Sequence, residues 1–240
     1  MRGTVGVAAL LAALTGSAAW SAPAGAATTA GSLYRHSIAA VKVQSSVHYE
    51  SRAAAPGRTV VIVADAGTTE GVRSVTVSTR GVAGHVMTLL TGNTAYVRGD
   101  AAGLTGFLGF PKPTAKRYAG RWLAIPAGSG GFGPATEGVT IVTLLGEMEM
   151  AGPYTASGPV SAGGVATHAV HGRVPASLGA GAGPETLFVP VSGRPLPVAQ
   201  TAQVHQGPTH YGLTVSYSNW GEPVHVSAPS GAIPISRAVG

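Results

Sequence analysis

RTVVIVADAGTTEGVRSVTVSTRGVAGHVMTLLTGNTAYVR, residues 58–98, breaks into four short segments rich in β-branched residues. RTVVIVAD, VRSVTVSTR, HVMTLLTG and TAYVR are each bounded by Gly- or Asp-containing turns, which is the pattern of strands rather than helices. The connections DAGTTEG, GVAG and TGN are too short for parallel crossovers, so successive strands must run antiparallel. SVHYESR, just upstream, supplies a fifth strand.

Further along, the strand signal stops and then returns. YTASGPV, GVATHAVHGRV, ETLFVPV, PVAQTAQVHQ and HYGLTVSYSNW are five more strand candidates. The last alternates cleanly, with Tyr211, Leu213, Val215 and Tyr217 on one side and Gly212, Thr214, Ser216 and Ser218 on the other. A single antiparallel sheet of about ten strands has to curl or split.

Helical segments stand before and between the two strand runs. GSLYRHSIAAVKVQSS carries a ragged apolar stripe (Leu33, Ile38, Val41, Val43), with Ser32 as its expected cap. In the middle, DAAGLTGFLGF and PTAKRYAG read as short helices and RWLAIP as a strand. TEGVTIVTLLGEMEM reads as the best helix of the chain, with Glu137 in its first turn and Ile141, Leu144, Leu145 and Met148 on its apolar face. These apolar faces must be buried, and the hollow side of a curled sheet is the natural place. The expected fold is α+β, an incurved antiparallel half-barrel with helices covering its concave face.

Several motifs invite functional readings. Arg98-Gly99-Asp100 spells a cell-adhesion tripeptide, yet Asp100 is placed to cap a helix beginning at Ala101, with Leu104, Phe107 and Leu108 on one face. That helix contains Gly103 and Gly106, each costing about 1 kcal/mol relative to Ala, so it has the makings of a mobile lid or of ordinary core. GSGGFG, residues 128–133, matches the dinucleotide fingerprint literally but lacks the βαβ unit that gives the fingerprint its meaning. His168 and His171 fall on opposite faces of one strand and cannot share a metal, whereas His205 and His210 can meet across a hairpin without nearby carboxylates. No GxSxG, no cysteine and no carboxylate pair across a cleft is evident, so no catalytic residue, metal ligand or cofactor is assigned.

The N-terminus has the pattern of a secretory signal: Arg2, then VGVAALLAALTGSAAW, then APAGAA with cleavage expected before Ala27. The expected organisation is a signal peptide over 1–26 and one domain over 27–240, exported to the envelope or medium. Without cysteine there is neither a disulfide nor a lipid-attachment site, so a soluble, unanchored protein held by its core is expected. The net charge is +6, and +5 once Arg2 is removed. Arg58, Arg73, Arg80, Arg98, Lys112, Lys116, Arg117 and Arg121 are scattered in sequence and read as a solvated surface. Such a balance is compatible with transient contact to anionic lipid or cell wall and does not point to nucleic acid.

TAYVRGDAAGLTGFLGF, YAGRWLAIP and YSNWGEPVHVSAP together resemble the actinobacterial secreted proteins related to the LppX/LprG lipoproteins, within the LolA/LolB-like lipoprotein-carrier superfamily. The order of elements agrees over residues 33–229. The resemblance implies an incurved sheet enclosing an apolar cavity that takes acyl chains of lipids or lipidated molecules, with no catalytic chemistry. The expectation is thus a non-catalytic carrier or sensor of a hydrophobic ligand. Its groove would be lined by Leu104, Phe107 and Leu108, by Ile141, Leu145 and Met148, and by Tyr211, Leu213, Val215 and Tyr217. The alternative is a structural or interaction module of the cell envelope whose cavity is filled by its own side chains, with Trp122 and Trp220 as core or interface residues. A secreted hydrolase or histidine metal protein is a third reading, which metal analysis would test.

Overall fold

The computed structural model describes residues 24–178, 183–206 and 209–239. The expected signal segment therefore lies almost wholly outside the described residues.

Helix α1 (Ala24–Lys42) precedes a meander of β1 (Ser46–Ala55), β2 (Arg58–Gly67), β3 (Gly71–Thr79), β4 (Val82–Thr91) and β5 (Thr94–Gly99). The insert follows as α2 (Ala101–Leu108), α3 (Lys112–Tyr118), β6 (Leu123–Pro126), α4 (Phe132–Thr136) and α5 (Ile141–Glu147). The second strand run is β7 (Ala151–Ala162), β8 (Val165–Arg173), β9 (Pro184–Pro190), β10 (Ala199–Gln206) and β11 (Thr209–Ser218), closed by a two-residue strand β12 (Ile233–Pro234) and α6 (Ser236–Val239).

All twelve strands join one sheet in the order β12-β6-β5-β4-β3-β2-β1-β11-β10-β9-β8-β7. Every pairing is antiparallel except β12 with β6. The two meanders meet at β1 and β11, where Tyr49 faces Tyr217 and Ala53 faces Leu213. The first and last strands of the two runs are thus central, and the sheet is open and curled rather than closed. It has two more strands than the sequence expectation of about ten: β6 was anticipated within the insert, while the two-residue β12 carries no sequence signal.

Because neighbouring strands are in register, side chains form rows across the sheet. One inner row runs Val97, Thr88, Arg73, Ala64, Tyr49, Tyr217. The next runs Val86, Val75, Ile62, Ser51, Val215, Gln200, Leu187, Val170. The helices pack on this face. Tyr49, Val47, Val215, Tyr217, Leu187 and Val170 form one core with Leu144 and Met148 of α5 and Tyr34 and Val41 of α1. Val86, Ala95, Val97, Ile125 and Ala135 form another beneath α4, and Leu104, Phe110, Tyr118 and Leu123 a third between α2, α3 and β6.

Two helical expectations are corrected. Ser32 does not cap the first helix, which already includes residues 24–31. The segment expected as the best helix is cut to seven residues. Glu137 instead ends α4, Gly138 takes a positive φ of 65°, and Thr140 caps α5 with a capping box to Thr143. The GSGGFG stretch leads from β6, antiparallel to β5 and parallel only to the two-residue β12, into the five-residue α4, so no dinucleotide fold surrounds it.

Candidate functional site

The third inner row is Gly84, Val77, Val60, Ala53, Leu213, Ala202, Glu185. Its ends are buried, but Val77, Val60, Ala53 and Leu213 in the middle are only half-buried. Helix α2 lies over β3, β4 and β5 on one side, while α5 and α1 lie toward β2, β7 and β8 on the other. Between them the centre of the sheet presents an incompletely covered apolar trough. Ile62, one row deeper, and Tyr211 and Val204, one row toward the hairpin ends, are half-buried as well.

On the α2 side the trough deepens into a cavity of about 160 Å³ lined by Val75, Val77, Val82, Val86, Gly106 and Phe107. Its roof is α2, built as the sequence indicates. The Asp100 carboxylate accepts from the Gly103 amide at 2.6 Å and from the His85 amide at 3.0 Å, and Gly109 ends the helix in the left-handed conformation. Gly103 lets α2 approach β4 closely, since a Cβ there would lie 2.3 Å from the His85 carbonyl oxygen. The tripeptide at residues 98–100 is thus a strand end and a helix cap.

Arg73 was expected at the solvated surface but is only 4 % exposed. Its guanidinium donates to the Glu137 carbonyl, to the Ala135 carbonyl at 3.1 Å and to the Pro134 carbonyl at 3.4 Å, and lies 5.2 Å from the Phe107 ring centre. It ties the α4–α5 connection to the sheet and supports the aromatic wall of the cavity. Burial lowers its affinity for the proton, countered by Tyr49, Glu147 and Glu137.

The opposite end of the third row is polar. Glu185, 4 % exposed, accepts from the Gln200 amide, whose oxygen accepts from the Tyr217 hydroxyl at 2.5 Å. The second oxygen of Glu185 has no hydrogen-bond partner among the described residues. Burial pushes the Glu185 carboxyl up to about 7, against the Gln200 hydrogen bond. Glu147 is exposed as a whole residue, yet its carboxyl is also pushed up to about 7, by burial first and then by the charge of Glu137, against the pull of Arg73. Sequence reasoning missed Arg73, Glu185 and Gln200. The available signal was parity: Arg73 shares its side of the strand with Val75 and Val77, and Glu185 with Leu187 and Val189.

The ten residues expected to line the groove do not form one wall. Met148, Leu145, Val215, Tyr217 and Leu213 come together in the core beneath α1 and α5. Ile141 is buried at the start of α5. Leu104 is fully buried against α3 and β6, Leu108 bridges the two smaller cores, and Phe107 lines the cavity. Tyr211 and Leu213 border the trough. Trp220 packs against the main core and donates to the Pro197 carbonyl at 3.1 Å, and Trp122 lies half-buried beneath Arg98. His205 and His210 pair directly across the β10–β11 hairpin with ring centres 4.4 Å apart, and among the described residues no group of three or more His, Asp or Glu is arranged to hold a metal.

No protein-family model and no curated protein matches the sequence. Among the solved structures that match are two mycobacterial proteins. LprF from Mycobacterium bovis aligns over 85 % of this chain and 98 % of its own, with a TM-score of 0.59 at 17 % identity. The lipoprotein LppX from Mycobacterium tuberculosis aligns over 83 % and 99 %, with a TM-score of 0.53 at 18 % identity. The resemblance seen in the sequence therefore holds in the arrangement of the backbone: this chain has the fold of LprF and LppX.

Proposed function

We propose that this protein is a non-catalytic carrier or sensor that holds a hydrophobic ligand, a lipid or the acyl chain of a lipidated molecule, against the inner face of its sheet. The observation that carries the reading is the half-buried apolar row Val77–Val60–Ala53–Leu213, left between two sets of helices and continuous with the cavity under α2. An acyl chain laid there would cover apolar surface at about 25 cal/mol per Å², before ordering costs. Similarity to the fold of the lipoprotein LppX supports the same reading. The cavity volume is below the roughly 300–1,000 Å³ usual for a ligand site, so a full-length chain would require α2 to move outward. The protein would work in the cell envelope or outside the cell; among the described residues no helix is long and apolar enough to cross a membrane.

A second reading is favoured by one observation: Leu104, Leu144 and Met148 fill much of the hollow side. On that reading the chain is an envelope interaction module with a self-filled core. Native mass spectrometry of detergent-free protein, followed by organic extraction, separates the two. A stoichiometric adduct of acyl-lipid mass supports the carrier. A clean unliganded mass, with no adduct after incubation with lipids, supports the module.

A further inference from the structure

Five of the basic residues that look scattered in the sequence come near one another in the fold, joined by Arg237. Helix α3 buries Ala115 and Tyr118 and exposes Lys112, Lys116 and Arg117. The Gly120 amide donates to the Gly99 carbonyl at 2.8 Å, which brings the exposed Arg121 beside the exposed Arg98. The Tyr118 hydroxyl donates to the Arg237 carbonyl at 2.8 Å, which places α6 and its exposed arginine against α3. Six cations thus border the β5–β6 edge of the sheet, Arg98 on its outer face and those of α3 beside the helix layer. The carboxylate in their midst, Asp100, is occupied by the Gly103 and His85 amides. Among the described residues, every ion pair within 4.0 Å involves His48, so none of the six is paired that way.

The surface between these cations is apolar and aromatic. Arg98 lies over the Trp122 ring at 5.9 Å. Met87 pairs with Arg98 across β4 and β5, Leu89 pairs with Tyr96, and all face away from the helix-covered side. Met87 is 41 % exposed. An open groove of about 560 Å³ runs between Met87, Arg98 and Gly120. Cations around half-buried aromatic side chains and the exposed Met87 match the layered chemistry of a bilayer surface, phosphate outside and hydrocarbon beneath. A soluble polyanion would use the charges and leave the groove empty.

We propose that the face formed by α3, the 119–122 turn, the outer side of β4–β6 and α6 is a docking surface for an anionic phospholipid bilayer. It is a second surface, distinct from the trough, and it does not require cargo. It does adjoin α2, the roof of the cavity, through the Gly109–Pro111 link.

Flotation with vesicles of phosphatidylglycerol in phosphatidylcholine tests the assignment. The protein is expected to float with these vesicles at low ionic strength, to be released by salt, and to ignore phosphatidylcholine alone. The variant Lys112→Gln/Lys116→Gln/Arg117→Gln/Arg121→Gln should bind at least roughly tenfold more weakly. Arg52→Gln/Arg58→Gln/Arg173→Gln/Arg194→Gln removes the same charge from exposed positions elsewhere and should bind as the parent does. Equal loss in both variants would reduce the effect to net charge and overturn the assignment. Failure of the parent to float would overturn it too, as would capture by a soluble anionic polymer without vesicle binding. Because the vesicles need deliver no cargo, a failed lipid-adduct measurement leaves this result interpretable.

Discussion

Glu185 couples the polar end of the trough to pH. Its carboxyl has an ordinary value of 4.5 and rises to about 7 in the fold. The native state therefore holds more protons than the unfolded chain between those values, and stability is full below the lower and lost as pH rises through the upper. Glu147 acts with the same sign, while His171, pushed down by burial, acts oppositely around its ordinary 6.5. Resistance to urea is expected to fall between pH 5 and pH 8. Glu185→Gln, which keeps an acceptor for Gln200, should remove about 2 kcal/mol of that fall, allowing for solvent near the site. Parallel pH profiles of parent and variant would show the assignment wrong. At the other end of the trough, Asp100→Ala should cost about 1 kcal/mol in denaturant unfolding and Asp100→Asn much less. The cap was legible in the sequence because capping is local. For Glu185 and Arg73, parity marks only which side of the strand they take; that helices from the insert land over that side is not legible.

At the scale of elements, α2 offers an internal control. Its two glycines look alike in the sequence and differ in the fold. A Cβ on Gly103 would meet the His85 backbone at 2.3 Å, whereas a Cβ on Gly106 meets nothing within 4 Å among the described residues. Gly103→Ala should therefore lift α2 from β4 and destabilise by about 1–3 kcal/mol. Gly106→Ala should stiffen the helix and stabilise by about 0.5–1 kcal/mol. If α2 moves to admit cargo, the Gly106 variant also takes up lipid more slowly, read by stopped-flow with a fluorescent fatty acid. Equal destabilisation by both alanines would show that α2 does not rest on β4 as described. The contrast with α5 shows where sequence reading stops. Period and apolar content marked residues 136–150 as one long helix, but Gly138 and the Thr140 cap broke it, because Tyr49 donates to the Gly138 carbonyl and holds that turn on the sheet.

At the scale of the molecule, strand order follows from chain order within each meander, so the two runs could be read in advance. The β1–β11 seam could not, because it joins residues far apart in sequence with no turn to announce it. That seam places Ala53 beside Leu213 at the centre of the open row. The trough is thus a property of the seam, and it can be closed there without touching either helix layer. Ala53 is half-buried and flanked by Val60 on the other side. Ala53→Trp should fill the space an acyl chain would occupy, while the cores beneath α1, α4 and α5 keep their packing. The expected outcome is a melting temperature within a few degrees of the parent, together with about a tenfold or greater loss of lipid adduct in native mass spectrometry. An undiminished adduct in a well-folded variant would move the ligand elsewhere, first to the groove between α1 and α5 lined by Ile38, Leu145 and Met150.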